Sequence, residues 1–336
     1  MKEAMFYECL TEKRVKCTLC RFNCIIKEGS RGLCSVRENR AGTLYTLVYG
    51  IICAEHIDPI EKKPLFHVTP GSKSYSIATF GCNFHCRHCQ NYSISQIGRN
   101  DQIRGVKRTS EQIIEQAVGN NCKSISYTYT EPTVFFEFAY DTARIARDAG
   151  LKNIFVTNGY ISREALAVIA PFLDAANIDL KGFSDIFYRD TVGADLSELL
   201  DSIIEYRKHG IWLEITTLII PGLNDSEEQL KGVAEFITAN LGVDTPWHVT
   251  QFHPAYRITD RNPTKMSTLC KARDIGLAAG LRYVYLGNMP GEGGENTNCP
   301  ECRSTLIKRH GFMIESNLIS RGSCPDCNAL IAGVGL

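Results

Sequence analysis

The sequence predicts an α/β protein in which parallel strands alternate with helices, and three observations carry that prediction. Between Ser74 and Leu286, β-prone runs and amphipathic helical runs succeed one another with a period of about thirty residues. Two Ser/Thr-x-x-Gln capping signals, Thr109-Ser-Glu-Gln112 and Ser226-Glu-Glu-Gln229, stand at the head of helical runs. Three cysteines crowd the loop after the first strand of the series, the strand end at which α/β enzymes keep their chemistry. Such repetition builds either an open doubly wound sheet or a barrel.

Before the repeat, residues 13–40 carry Cys17-Thr-Leu-Cys20-Arg-Phe-Asn-Cys24 and then Cys34. Four thiols suffice to close a metal site, and a segment this short and polar is expected to take its order from the metal. Structural zinc is the first expectation and a second iron–sulfur cluster the alternative. The run 44–49 reads as a strand, and 57–69, with Pro59, Pro64 and Glu61-Lys62-Lys63, as a connector.

Within the repeat, the pattern predicts strands over 74–80, 124–129, 153–157, 175–180, 212–220, 247–252 and 282–286. It predicts helices over 112–118, 133–149, 163–172, 196–209, from the Ser226 cap to about 240, and over 265–279. Gly150 and Gly210 stand where helices should stop. The glycine-rich stretch Gly287-Asn-Met-Pro-Gly-Glu-Gly-Gly294 reads as a linker, too irregular for a dinucleotide fingerprint. Beyond it, Cys299-Pro-Glu-Cys302 and Cys324-Pro-Asp-Cys327 are two Cys-x2-Cys knuckles with zinc-ribbon spacing; a rubredoxin-like iron site shares that geometry.

Composition narrows the function classes. Basic and acidic residues balance at 37 each, which argues against a dominant nucleic-acid or membrane field. No apolar run nears the roughly 20 residues that span a bilayer, and the N-terminus lacks a secretory apolar region, so a cytoplasmic protein with no membrane partner is expected. In that setting 15 cysteines point to metal binding rather than disulfides. Eleven of them fall in the spaced groups; Cys9, Cys53, Cys122 and Cys270 are expected to be small buried hydrophobes.

The central group is Cys82-Asn-Phe-His-Cys86-Arg-His-Cys89, with Gly81 as the turn between strand and loop. Thiolates are soft ligands suited to iron–sulfur clusters or zinc, and three of them leave one metal corner open. A zinc ion completed by a distant residue is the alternative.

This Cys-x3-Cys-x2-Cys loop after a first strand resembles the signature of the radical S-adenosylmethionine (SAM) superfamily, with His88 where an aromatic is usual and Gln90-Asn91 following. The branch it resembles is that of pyruvate formate-lyase activating enzyme, and in particular the AmmeMemoRadiSam system radical SAM proteins. The resemblance implies a partial (β/α)6 TIM-like barrel over residues 73–290, while the cysteine spacing reads as a Cys-rich metal-binding module and connector over 1–72 and a zinc ribbon over 291–336. It also implies a [4Fe–4S] cluster on Cys82, Cys86 and Cys89, SAM as cofactor, and an electron donor such as flavodoxin or ferredoxin; zinc is expected from the cysteine spacing alone.

Polar residues at other strand ends match positions of the family's SAM site. Thr130 and Glu131 stand where the family's Gly-Gly-Glu-like motif binds the amino group of SAM, with Tyr129 and Thr130 in place of glycines. An ammonium group favours a carboxylate or carbonyl partner; a plain helix N-terminal charge is the alternative role for Glu131. Val156-Thr157-Asn158-Gly159 resembles the family's Asp-Thr-Asn-Gly, with Val156 replacing the acid; Thr157 and Asn158 are either SAM contacts or turn formers. Asp179-Leu-Lys181 resembles the family's Asp-Leu-Lys, and two charges on one side of a strand must meet each other or a ligand. Pro221-Gly-Leu-Asn224 resembles the loop that packs on adenine. His253 resembles a residue bordering ribose, or is a satisfied core histidine.

The resemblance thus implies reductive cleavage of SAM to a 5′-deoxyadenosyl radical that abstracts hydrogen from a protein, peptide or RNA. Glycyl-radical enzyme activation and small-molecule radical chemistry are the alternatives. A non-catalytic, metal-stapled binding module would leave the thiol loop and the Asp179–Lys181 pair without a role.

Overall fold

The computed structural model describes residues 1–289 and 293–336. Residues 290–292 of the expected glycine-rich linker, and the segment boundary placed there, lie outside the described residues. The chain divides into two compact units: Met1–Asp58 with Lys73–Asp174 and Ser197–Ile211, and Pro59–Ser72 with Ala175–Leu196 and Trp212–Leu336.

The repeat is six strand–helix pairs and a closing strand. In chain order these are β1 (Lys73–Ala78), α1 (Ser110–Gly119), β2 (Ser124–Tyr127), α2 (Phe136–Asp148), β3 (Lys152–Thr157), α3 (Arg163–Ile169) and β4 (Ala175–Asp179). They continue as α4 (Leu196–Lys208), β5 (Trp212–Ile219), α5 (Glu227–Asn240), β6 (Trp247–Gln251), α6 (Met266–Ala278) and β7 (Val284–Gly287). In the first unit, β2 pairs in parallel with β1 on one side and β3 on the other, with Ser124 opposite both Ser74 and Lys152. In the second, β4, β5, β6 and β7 pair in parallel, each with its chain neighbour. Strand order therefore follows chain order within each unit, with each helix connecting two neighbouring parallel strands as in successive βα units.

Several boundaries differ from the sequence expectation for identifiable reasons. The strand expected over 44–49 covers Thr43–Thr46 and pairs antiparallel with Arg37–Arg40. Strand β2 stops at Tyr127 rather than 129, because Tyr129 takes a left-handed backbone with φ +64°. The helix expected from Thr133 begins as a 3-10 turn over Pro132–Phe135, where proline supplies no N–H. The capping box at Thr109 closes in both directions, with Gln112 N–H donating to Thr109 Oγ1 at 3.3 Å and Thr109 N–H to Gln112 Oε1 at 3.0 Å. At Ser226 only the hydroxyl arm forms; the Gln229 side chain instead accepts from Phe183 N–H and donates to the Leu223 carbonyl. Cys9 is exposed and Cys53 and Cys270 half-buried, so of the scattered cysteines only Cys122 is the buried hydrophobe expected.

The connector at 57–69 is no solvent-exposed linker: Ile60, Glu61, Lys63, Leu65, Phe66, His67 and Val68 are all buried. Its backbone N–H groups at Phe66 and His67 donate to Glu214 on β5, which also accepts from Trp212 Nε1 and His248 Nε2. His67 Nδ1 meets the Ala332 carbonyl at 2.7 Å and so donates, leaving Nε2 to accept from Tyr285 OH at 2.7 Å. Tyr285 continues to Thr297, and Thr297 accepts from Arg309. Arg309 also donates to the Phe66 carbonyl and lies over the Phe66 ring. A buried network thus ties the connector, β5, β6 and β7 to the C-terminal tail, whose strands β8 (Thr297–Asn298), β9 (Thr305–His310) and β10 (Met313–Asn317) form an antiparallel sheet. Among the described residues, no helix is long and apolar enough to cross a membrane.

The network carries a pH dependence with a definite sign. Burial pushes the His67 imidazole down from 6.5 to about 4, against the opposing pull of the Glu214 carboxylate. The unfolded chain then takes up a proton that the native state refuses, so stability is full above about pH 6.5 and falls as pH drops toward 4. The loss should be on the order of 3 kcal/mol. Thermal melts across that interval should show a falling midpoint whose slope is reduced in His67→Gln; equal slopes in both proteins would assign the acid sensitivity to other groups.

Candidate functional site

The thiol loop leaves β1 through Gly81, and here glycine is required. Its φ is +94°, and a Cβ would lie 2.6 Å from Val36 Cγ1 and 2.7 Å from the Cys34 carbonyl oxygen. Cys82 and Cys86 are buried and Cys89 is half-buried. The Cys82 sulfur accepts from Phe84 N–H at 3.4 Å and from Asn158 Nδ2 at 3.2 Å, while Cys89 Sγ lies 3.1 Å from Ser95 Oγ. Burial pushes the Cys82 thiol well above the ordinary range, and Glu131, Cys86 and Cys89 are near enough to add to the effect. A thiol trio of this kind, two members buried and one half-buried, becomes a set of thiolates when a metal takes the place of the protons. Two N–H donors already aimed at one sulfur fit a ligating thiolate and the iron–sulfur chemistry of three-cysteine loops.

The adjacent strand ends converge on Glu131. This carboxylate is fully buried and accepts four hydrogen bonds: from Thr133 N–H at 3.0 Å, Thr133 Oγ1 at 2.6 Å, Thr157 Oγ1 at 2.7 Å and Asn158 N–H at 2.7 Å. Burial raises its proton affinity and these donors oppose the rise. Glu131 thus holds the loop after β3 against the loop after β2. Thr130 adds a bond from its hydroxyl to the Thr79 carbonyl beyond β1, at 2.8 Å. Asn158 completes the arrangement, since Nδ2 also reaches Asn83 Oδ1 at 3.2 Å. Cys82, Cys86, Cys89, Thr130, Glu131, Thr157 and Asn158 are therefore neighbours within the first unit, at the C-terminal ends of three parallel strands.

The remaining cofactor candidates lie in the second unit. Asp179 ends β4 and meets Lys181 at 2.8 Å, so the two charges expected to need a partner have each other. Asn224 stitches the next loop to this corner: Nδ2 donates to the Lys181 carbonyl at 2.6 Å and Oδ1 accepts from Ile220 N–H at 2.6 Å. His253 is exposed beyond β6, which removes the core-packing alternative.

Both terminal cysteine groups assemble. Cys299, Cys302, Cys324 and Cys327 have all four sulfurs within 4.8 Å of one another, with Cys299–Cys327 at 3.5 Å and Cys302–Cys324 at 3.6 Å. A tetrahedral site with zinc–sulfur bonds of about 2.3 Å needs sulfurs about 3.8 Å apart, so the quartet suits a single ion. Cys17, Cys20, Cys24 and Cys34 line one cavity of about 20 Å³ together with Arg37 and Asn83. Arg37 Nη1 lies 3.7 Å from Cys17 Sγ, and Arg37 Nη2 is paired with buried Glu137 at 2.5 Å. Sequence reasoning missed Asn83, Arg37 and Glu137; only the position of Asn83 beside Cys82 could have drawn notice to any of them.

The sequence profile of the Radical SAM superfamily matches residues 76–237. The chain is 49% identical over 312 residues to an uncharacterised protein of Methanocaldococcus jannaschii, MJ0808, spanning 93% of this chain and 92% of that one. It is 28% identical over 123 residues to the isethionate sulfite-lyase activating enzyme of Nitratidesulfovibrio vulgaris, 35% of this chain and 40% of that one. Among solved structures, a radical SAM methyltransferase from Sphaerobacter thermophilus superposes with a TM-score of 0.51 at 16% identity, over 65% of this chain and 67% of that one, a likeness of fold. With a three-cysteine loop at the end of β1 and the βα order to carry it, this chain belongs to the radical SAM superfamily, in its activating-enzyme-like branch, whose enzymes use S-adenosylmethionine and an iron–sulfur cluster.

Proposed function

We propose that Cys82, Cys86 and Cys89 hold a [4Fe–4S] cluster and that the enzyme cleaves SAM reductively to abstract a hydrogen atom from a protein, peptide or RNA. The observation that carries this reading is the buried thiol loop with Asn158 Nδ2 and Phe84 N–H already donating to Cys82. Bound there, the cluster and SAM supply the electron and the 5′-deoxyadenosyl radical; the protein supplies ligands, orientation and exclusion of water. Thr130, Glu131, Thr157, Asn158, Asp179, Lys181 and His253 are the proposed SAM contacts, by likeness to the family's motifs. Within this set, Glu131 acts by positioning: four donors occupy its carboxylate, and what it offers SAM is the fixed placement of the Thr130 and Thr157–Asn158 backbones.

The division of labour we propose is a Cys-rich module and connector over 1–72, a catalytic βα segment over 73–290 and a zinc ribbon over 291–336, working in the cytoplasm with a flavodoxin- or ferredoxin-type donor. The second reading, glycyl-radical enzyme activation, is favoured by the likeness to the isethionate sulfite-lyase activating enzyme.

The cluster assignment predicts that anaerobically reconstituted protein shows [4Fe–4S] absorbance and releases methionine and 5′-deoxyadenosine with dithionite. Replacing Cys82, Cys86 and Cys89 together by Ala should abolish the release; a triple variant that still cleaves SAM would refute the assignment. For SAM itself, Glu131→Ala, Asp179→Ala and Lys181→Ala should each weaken binding about ten- to a hundredfold, the worth of one charge-assisted contact or its support, while cluster absorbance persists. Unchanged SAM titrations in all three would move the site elsewhere. Finally, Cys302→Ser with Cys327→Ser should lower zinc content by about one ion and loosen the tail while SAM cleavage without substrate continues. Metal analysis that finds no zinc to lose would reject the ribbon.

A further inference from the structure

We propose that Cys17, Cys20, Cys24 and Cys34 hold a second, redox-active iron–sulfur cluster through which electrons enter the cluster at Cys82, Cys86 and Cys89. The proposal rests on the preceding assignment of the latter cluster, and three observations carry it.

The first is spacing. Among the described residues, the C-terminal quartet has its sulfurs drawn together within 4.8 Å as a single ion requires, and neither Cys17–Cys34 nor Cys82–Cys89 forms such a contracted group. The N-terminal thiols instead line a cavity, spread around it rather than drawn onto one point as in the ribbon.

The second is contact. Asn83, the residue after Cys82, lines the N-terminal cavity and receives Asn158 Nδ2, the group that also donates to Cys82. Gly81 packs on the Cys34 carbonyl, Cys20 forms a β-bridge with Ile161, and Ser162 N–H donates to the Leu19 carbonyl at 3.0 Å. Phe22, between Cys20 and Cys24, packs at a tilt against Tyr160 with centroids 4.9 Å apart and meets Phe84 edge-on at 6.4 Å, and Phe84 lies between Cys82 and Cys86. The Asn83 side chain and the Phe22–Phe84 ring pair therefore lie where the two thiol loops meet. A zinc staple would gain nothing from that adjacency, whereas a relay depends on it.

The third is charge. Arg37 is buried, ion-paired with Glu137 through Nη2, and donates through Nη1 toward Cys17 Sγ, which places a fixed N–H donor against a site that gains a negative charge on reduction. A zinc site undergoes no such change. On the outer side, Cys24 borders a groove of about 520 Å³ lined by Lys27, Arg31 and Arg99. That basic rim fits an acidic one-electron carrier protein. The step transfers one electron from the reduced carrier to the N-terminal cluster and on to the Cys82 cluster, with no bond made or broken.

The test uses full-length reconstituted protein. Wild type should contain about eight irons, and Cys20→Ser with Cys34→Ser about four, as two [4Fe–4S] clusters and one require. On reduction, wild type should show two paramagnetic signals, one altered by SAM and one indifferent to it, and the variant should lose the indifferent one. Reduction of the SAM-sensitive signal by flavodoxin hydroquinone should slow at least tenfold in the variant, and in wild type it should slow as salt is raised. A measurement free of mutation is the order of events: in freeze-quenched wild type the SAM-indifferent signal should appear first. Four irons with two zinc ions, simultaneous signals, or unchanged reduction rates in a folded variant would overturn the relay. Absence of any SAM-sensitive signal would instead overturn the assignment of Cys82, Cys86 and Cys89.

Discussion

The buried carboxylate of Glu131 is the constraint on which the candidate site depends. An ionised carboxyl group out of water is costly unless its lone pairs are filled, and here four donors from two loops fill them. Satisfying that one group fixes the loop after β3 against the loop after β2. Asn158, placed by its own N–H on Glu131, can then turn its side chain onto Cys82 and Asn83. Loss of the carboxylate would leave several buried donors unpaired, each worth about 1 to 3 kcal/mol, and would release the thiol loop's nearest support. A residue whose family motif implies direct ligand contact thus exerts much of its effect through geometry.

The neighbouring Tyr129 departs from the general pattern of the family's motif. The family motif carries glycine at this position, and the backbone here has the left-handed φ that glycine tolerates and tyrosine does not favour. The tyrosine hydroxyl donates to Asp58 and its ring meets His56 edge-on, contacts that offset the backbone strain. At Gly81 a glycine is required, since Val36 and the Cys34 carbonyl leave no room for a Cβ.

The two cysteine-rich ends are built into their units in different ways. The N-terminal module meets the thiol loop through Asn83 and Phe22 and the loop after β3 through the β-bridge at Cys20, and it encloses the buried Arg37–Glu137 pair. The tail is anchored by Arg309 and by the His67–Tyr285–Thr297 chain of hydrogen bonds. Its small core of Leu306, Ile307 and Ile331 beside Cys299 and Cys324 is too limited to order it alone, which is why the thiol quartet matters.

Much of this was legible in the sequence because it rests on local rules. Period, capping residues and helix-stopping glycines mark six βα pairs, since hydrophobic burial on a strand or helix repeats along the chain. Cysteine spacing marked three metal candidates, because ligands from one short loop must sit close together. What only the tertiary structure decided depends on residues far apart in the chain. Glu131 reads locally as a ligand or a helix charge, and its four donors appear only when β2 and β3 align. The connector at 57–69 reads from its prolines and charges only as a link between segments, yet Glu214, some 150 residues away, captures its backbone within a buried network. Arg37 and Glu137 pair across 100 residues, a separation at which no spacing rule operates. Asp179 and Lys181, two residues apart, were expected to meet each other or a ligand, and the fold supplied the first; the shorter the separation, the more the sequence could say.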